Sequence, residues 1–445
     1  MKLSILSLSA VAALAVIMTP VLALPTAVVP SAVVSFDQHR VVRIQIENEQ
    51  ELATLSAHDD TLQLDYFTHH KIIGGHVDVR IPPQSFSKFQ GLNLKYSTLI
   101  ENLQSVLNEE KAQDQEYQKT FSAQLNENKR RNGGKTVHAS GIEGADVYAA
   151  APAWFSGYHT YADHQNWLAT QIANNPDKAS AFSAGKTYQN RDQAGIKIGS
   201  GPNNVVFHGT QHAREWISTM VVEYIIDQLL TGSDSRVAGY LTKYTFHIIP
   251  IMNPDGFVVT QTSNRMHRKN AQSNGGCLGT DTNRNWGFKW NQGGSSTNPC
   301  ADDYMGPSAF SSPEATNIGN YLKNTPNVVS YIDFHSYSQL WMVPYGYTGT
   351  RPGTYAYMSG LAVKAAAALK AVHGTRFTTG DIYNTIYQAS GNSADYAYSV
   401  GVKAPFAVEL RDTGNYGFSL PANQIIPSGE ETWAAFSAVL DNIQV

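Results

Sequence analysis

The chain has 445 residues, of which 42% are hydrophobic, 11% aromatic and 15% charged, with a formal net charge of −4. That length and composition predict two domains, each able to bury a core. The 32 basic residues form no long block, which excludes nucleic-acid binding through a clustered basic face.

Residues 1–23 open with Lys2, continue as an apolar stretch and end at Val21-Leu22-Ala23, the pattern of a secretory signal peptide. The short apolar core and Pro20 favour cleavage near Ala23 over a retained membrane anchor. No later run is apolar enough to span a bilayer, so no membrane attachment is expected after signal removal. The expected destination is the extracellular medium, with delivery to an acidic vacuole as the other outcome of the same route.

Residues 24–124 read as a small α+β domain. "VVRIQI", "LQLDYF", "HVDVRIP" and "LKYSTLI" are predicted strands, and "EQELATLSAH" and "SFSKFQGL" predicted helices. "LQSVLNEEKAQDQEYQKTFSAQ" is a long polar helix. The domain holds no cluster of catalytic residue types, and His69, His70 and His76 are read as histidines of an exposed polar face. Residues 125–150 are a linker by composition: Lys129, Arg130 and Arg131, then Gly133 and Gly134, then small residues. A basic triplet between two domains suits an activating protease of trypsin-like or dibasic specificity.

In residues 151–445, strands "NVVF", "YTFHIIPIM", "VVSYIDF" and "APFAVEL" are separated by helices such as "REWISTMVVEYIIDQLLTG", "SPEATNIGNYLKN" and "YMSGLAVKAAAALKAVH". This alternation predicts an α/β fold with helices on both faces of the sheet. The site of such a sheet lies at the carboxyl edge of its strands. His212 and Glu215 stand three apart at the predicted start of a helix, where they would share one face. His335 follows another apolar strand, and the three complete a His₂Glu set of the kind that holds a catalytic zinc with one open position. Glu409 ends a further strand. A partly desolvated carboxylate beside a cation can take a proton from an attacking water, and the alternative is a pair with Arg411. Arg265, Arg268, Asn283 and Arg284 together suit an anionic substrate with a polarisable carbonyl. Cys277 and Cys300, an even pair in a secreted chain, are most simply one disulfide, contributing roughly 3 kcal/mol on the chain-entropy view.

The strings "HAREW", "NPDGF", "NRMHRK", "DTNRNW", "YMGPSAFSSPEAT", "HSYSQLWMVPYGY", "TIYQASGNSADYAY" and "ELRDTGNYGFSLP" resemble the zinc metallocarboxypeptidases of the A/B type, in that family's order and with similar spacing. The resemblance covers about residues 150–440. The preceding domain resembles the family's propeptide in length and strand–helix order. The implied fold is a carboxypeptidase-like mixed twisted sheet flanked by helices, preceded by a small α+β open-sandwich propeptide domain.

Roles follow residue by residue from the resemblance. His212, Glu215 and His335 match the ligands of one Zn2+ per catalytic domain, Glu409 the general base, and Arg268 the residue that polarises the scissile carbonyl. Asn283, Arg284 and Tyr387 match the clamp on the substrate's terminal carboxylate, with Tyr387 on a loop that swings over it. Arg214, Arg265, Ser336, Tyr337 and Phe418 match outer subsites, Asp281 an acceptor behind a zinc-bound imidazole, and Cys277 and Cys300 a family disulfide. His208 is read as a packed or hydrogen-bonded strand-end residue.

Two departures stand out. His267 replaces an aromatic residue and would alter packing or add pH sensitivity. Ala394 occupies the base of the side-chain pocket, where B-type enzymes carry Asp, and Asp395 follows it. An uncharged base predicts aromatic or large aliphatic C-terminal residues. A one-residue shift would bring Asp395 into the pocket and give B-type, basic specificity. The expectation is a secreted, monomeric zymogen that acts on peptide and protein C-termini. A non-catalytic peptide-binding module and an amidase or a peptidase for modified side chains are the rival readings.

Overall fold

The computed structural model describes residues 32–68, 73–131 and 154–445. The expected signal peptide, His69, His70 and most of the expected linker lie outside the described residues.

In the first domain β1 (Arg40–Ile46), β2 (Asp65–Tyr66), β3 (Gly75–Ile81) and β4 (Tyr96–Ile100) form an antiparallel sheet in the order β2-β3-β1-β4. The two-residue period of a strand sorts its side chains onto two faces. Val42, Ile44 and Ile46 of β1 and Val77, Val79 and Ile81 of β3 join Leu55 of α1 (Glu49–Ser56) and Phe89 of α3 (Pro83–Gln90) in one core. Val41, on the other face, packs with Met266, Tyr337 and Phe418 of the second domain. One face is therefore covered by the domain's own helices and the other by its neighbour.

The expected strand "LQLDYF" is shorter than its pattern suggests. Leu62 closes the one-turn α2 (Asp59–Leu62), and Gln63 in a left-handed conformation (φ 53°) turns the chain before β2. The helix α4 (Leu103–Arg131) outruns its expected end at residue 124. Asn126 to Arg131 offer no helix breaker, and the first are Gly133 and Gly134. Lys129, Arg130 and Arg131 thus stand on helical backbone, inside the stretch expected to be linker.

The second domain is built on eight strands: β5 (Ala179–Lys186), β6 (Asp192–Ile198), β7 (Asn203–Gly209), β8 (Tyr244–Ile249), β11 (Val328–His335), β12 (Leu340–Val343), β13 (Thr378–Asp381) and β14 (Ala404–Glu409). Their order is β13-β12-β14-β11-β7-β8-β6-β5. A separate two-stranded ribbon, β9 (Ser273–Asn274) and β10 (Cys277–Leu278), carries Cys277, which is bonded to Cys300. The four central strands run parallel, and β6 and β5 are added antiparallel at one edge. At the other edge β12 runs against β14 and alongside β13, so the sheet is mixed as expected.

The central strands are the four that read most clearly in sequence, because strands covered on both faces are continuous apolar runs. On β7, Val205 and Phe207 join the layer of the helices Trp216–Thr231 and Ile425–Asn442. Val206, between them, joins Ala315 and Ile318 of the helix Pro313–Asn324 on the opposite face. Register then sets the chemistry: His335 at the end of β11 pairs with Glu409 at the end of β14. No helix among the described residues is long and apolar enough to cross a membrane.

Candidate metal centre and substrate cleft

The turn after β7 differs from the expected helix. Gly209 lies so close to the next element that a Cβ would stand 2.7 Å from the Ser218 carbonyl oxygen. Thr210 follows in a left-handed conformation (φ 52°), with its backbone N–H donating to Ser218 Oγ at 2.8 Å. These bonds hold residues 210–215 in an irregular turn, and the helix starts only at Trp216, with Glu215 as its N-cap. His212 and Glu215 therefore do not share a helical face. They meet because the Glu215 N–H donates to the His212 carbonyl at 3.2 Å, which folds the turn on itself.

Within this turn His212 Nδ1 lies 2.8 Å from Glu215 Oε1. His335 Nδ1 lies 3.0 Å from both His212 Nδ1 and Glu215 Oε2. All three side chains are buried, and their candidate ligand atoms fall within 4.8 Å of one another. The rear nitrogens face carboxylates: His212 Nε2 is 3.2 Å from Asp281 Oδ1, and His335 Nε2 is 2.8 Å from Asp333 Oδ2. Each Nε2–H can donate backwards, which leaves both Nδ1 lone pairs aimed at the shared centre. Burial opposes charge on His335, but Asp333 and Glu215 outweigh it and raise its pKa well above the imidazole range. Burial likewise opposes the Glu215 carboxylate, yet His212 and His335 hold its pKa below the usual value. Two imidazole nitrogens and a carboxylate in a site that favours positive charge fit zinc.

Around this centre stand the other expected groups. Glu409 makes no ion pair or side-chain hydrogen bond with any described residue, because Arg411 is taken by Glu431 at 2.7 and 2.6 Å. Desolvation pushes Glu409 up to about 8, with His335 and Arg268 pulling the other way. Arg268 is buried and donates to Asp281 Oδ2 at 2.9 and 3.1 Å, so one carboxylate orients both an imidazole and the guanidinium. Asn283 accepts from the Ser393 N–H at 2.9 Å, and its side-chain amide lies 3.2 Å from His335 Nε2. Arg284 donates to the Gly294 and Asn283 carbonyls, lies 5.2 Å from the Tyr387 ring centre, and has no ion-paired carboxylate among the described residues.

Ala394 is fully buried and packs with Leu340, Met342, Ile382, Ile386 and Ala407, against Tyr387. Asp395 turns away from this group. It accepts from the Gly346 and Tyr347 backbone N–H groups at 2.9 and 3.0 Å, and burial pushes its carboxyl up to about 7.

Arg214, Arg265, Tyr337 and Phe418 all meet the first domain. Arg214 lies 3.1 Å from Asp65, Arg265 binds Glu110 through two bonds of 2.8 Å, and the Tyr337 hydroxyl donates to Asp78 at 3.1 Å. Phe418 and Phe67 have ring centres 4.9 Å apart. Ser336 donates its backbone N–H to Glu215 Oε2 at 3.3 Å. With Phe67 and Thr68 in place, the space beside Glu215, Arg268, Glu409 and Tyr387 is only about 20 Å³, enough for a water and too small for a peptide. A separate cavity of about 1280 Å³, between α2 and residues 294–303, reaches Arg284 and Tyr387.

Several readings change. Arg214, Arg268 and Arg284 are buried within the cleft. His267 is buried too, bonded to the Asn270 carbonyl at 2.9 Å and lowered to about 4 by burial, so it adds no charge change near neutrality. His208 is buried behind the site, with Nε2 2.6 Å from the Tyr331 hydroxyl and Nδ1 3.3 Å from Asp333. His76, expected on an exposed face, is half-buried on β3. Sequence reading missed Asp333, although it stands two residues before His335 on one strand and so on the same face. It also missed Asp65, Asp78 and Glu110, which no local pattern distinguishes from surface acids.

A family model described as zinc carboxypeptidase matches residues 164–435, and one described as carboxypeptidase activation peptide matches residues 42–110. The chain is 38% identical over 425 residues to the metallocarboxypeptidase A-like protein of Trichophyton verrucosum, across 92% of this chain and 94% of that one. It is 41% identical over 298 residues to carboxypeptidase B of Astacus astacus, across 65% of this chain and 98% of that one. The crystal structure of carboxypeptidase A from Helicoverpa armigera shares the fold, with a TM-score of 0.78 and 23% identity over 92% of this chain and 98% of that one.

Proposed function

This chain belongs to the zinc carboxypeptidase family and carries its activation peptide, and from that premise we propose a secreted zymogen of A-type specificity. Residues 1–23 are the signal peptide, and cutting near Lys129–Arg131 separates the activation domain from the catalytic domain. The substrate is a peptide or protein C-terminus ending in an aromatic or large aliphatic residue.

His212, Glu215 and His335 hold the zinc, which supplies a Lewis acid when bound there. Arg284, Asn283 and the Tyr387 hydroxyl bind the terminal carboxylate, and Arg284 is suited to this because no carboxylate among the described residues pairs with it. The terminal side chain enters the apolar group around Ala394. Arg268, oriented by Asp281, donates to the scissile carbonyl oxygen as negative charge develops on it. Glu409 takes the proton of the attacking water on its carboxylate and delivers a proton to the leaving amine nitrogen.

The observation that carries this reading is the convergence of two Nδ1 atoms and one carboxylate, backed by Asp281 and Asp333, beside Glu409, which pairs with no described residue. The specificity rests on Asp395, whose carboxyl is engaged by the Gly346 and Tyr347 amides and so is not free to neutralise a Lys or Arg. Rates for blocked dipeptides ending in Phe, Leu, Lys and Glu, with and without chelator, test both parts on the trypsin-cut protein. Phe and Leu should exceed Lys by on the order of 100-fold, since an ammonium in an apolar pocket loses its hydration unpaired. Preference for Lys would establish basic specificity instead, and full activity in chelator would remove zinc from the reaction.

A further inference from the structure

Beside apolar packing around Val41, several first-domain groups in the cleft share one chemistry. Arg265 gives two bonds of 2.8 Å to Glu110 of α4, and its guanidinium lies 3.8 Å from the Trp216 ring centre. Asp114, one turn further along α4, adds a second acid: desolvation and the Glu110 charge push it up to about 7, while Arg265 pulls it down. Asp65 lies on Arg214, Asp78 on the Tyr337 hydroxyl, and Phe67 against Phe418. Every one of these catalytic-domain contacts is an anion on a donor or a ring on a ring.

The two arginines differ in what the catalytic domain alone offers them. Arg214 keeps a carboxylate of its own domain, Asp302, at 3.3 Å. Arg265 has only the Arg214 and Phe418 carbonyls, at 2.9 and 2.8 Å, and no catalytic-domain carboxylate among the described residues pairs with it. Loss of the first domain thus leaves the Arg265 guanidinium without its counter-ion, while its catalytic-domain contacts, the Trp216 ring and the two carbonyls, remain. A guanidinium oriented by such fixed contacts is set to bind a carboxylate through two parallel bonds.

Its place along the peptide follows from the proposed carboxylate clamp. A substrate ends at Arg284, so Arg265, Arg214, Tyr337 and Phe418 can meet only residues upstream of the scissile bond. We infer that the upstream cleft of the mature enzyme selects acidic residues, and that Arg265 reads the side chain of a peptide Glu or Asp. The inference rests on the carboxypeptidase reading above and adds a second determinant of substrate choice, remote from the Ala394 pocket.

The test uses the trypsin-cut enzyme separated from its first domain, with blocked peptides ending in Phe in which one Glu, Ala or Lys is moved through the upstream positions. At one position Glu should exceed Lys by about tenfold in kcat/KM, the effect of one charge-assisted bond, and the ratio should shrink in high salt. Arg265→Glu should reverse the ratio. Equal rates for Glu and Lys at every position, or a Glu preference indifferent to salt, would overturn the inference. An Arg265→Glu enzyme that keeps the Glu preference would do so too. The salt dependence is read on the unaltered enzyme and so holds even if the variant does not fold. Absence of chelator-sensitive hydrolysis of the Ala peptides would instead overturn the parent reading, and this one with it.

Discussion

Around the metal centre each carboxylate belongs to the same domain as the group it orients: Asp281 serves His212 and Arg268, and Asp333 serves His335. At the domain interface the carboxylates Asp65, Asp78 and Glu110 come from the first domain, and their partners Arg214, Tyr337 and Arg265 from the second. The chemistry of the two sets is alike, and their connectivity is not. The first set persists when the chain is cut after α4. The second was held by a tether, and once cut its members can separate into water, where each charge regains its hydration. A site assembled by one set can thus be complete before activation, while the other set only blocks access to it.

The strongest test of that division acts on the catalytic-domain side, beside the metal centre. Glu409→Gln should lower turnover by on the order of 10³-fold or more, with zinc content per chain unchanged in metal analysis. Substantial activity in this variant would show that the proton is handled elsewhere. Next in size is the effect of cutting. Limited trypsin digestion should raise peptide hydrolysis by about 100-fold, because a tethered blocker acts at a high effective concentration. Full activity in the intact chain would dissolve the comparison, since the interface set would then block nothing.

A smaller change is expected from the interface alone. Asp65→Asn leaves Arg214 with Asp302 and should raise the basal activity of the uncut chain by roughly tenfold, with the cut enzyme unaffected. The reverse pattern, a defect confined to the cut enzyme, would assign Asp65 to folding of the catalytic domain.

The smallest effect is on pH. Burial and the neighbouring Asp65 push Asp302 up to about 7, against the pull of Arg214 and Lys269. Burial and Glu110 push Asp114 to about 7, against Arg265. A carboxyl whose pKa is raised by docking favours the docked state below its ordinary value of 3.8 and loses that contribution as pH climbs to about 7. Gel filtration of the cut protein should therefore show more retained first domain at about pH 5 than at about pH 8, with Asp302→Asn flattening part of the difference. The Asp302 side chain is 35% exposed, so its share is modest. Retention that rises with pH would reverse the sign and shift the control to other groups.

Much of the centre was legible in the chain itself. His212, Glu215, His335 and Glu409 follow predicted strands, and strand ends in a parallel sheet converge on one edge. The helical geometry assigned to His212 and Glu215 was not legible, because Thr210 delays the helix through contacts with Ser218 that close only when the turn packs. The edge strands β12 and β13 were hidden as well: β12 is an apolar run of only four residues, and β13, Thr-Thr-Gly-Asp, has no apolar side chain. Asp333 was within reach of the two-residue strand period but carried no motif of its own.

Residue type and local period by themselves determined which side chains are able to bind a metal, move a proton or grip a carboxylate, and which strands form the covered middle of the sheet. Those properties are settled within a few residues of chain. Tertiary structure alone decided which acid meets which base: Arg411 goes to Glu431 rather than Glu409, Asp395 goes to two backbone amides, and Asp65 reaches Arg214 from 149 positions away. Coulomb attraction and hydrogen bonding depend on distance in space, and for side chains on different elements that distance exists only after the elements have packed.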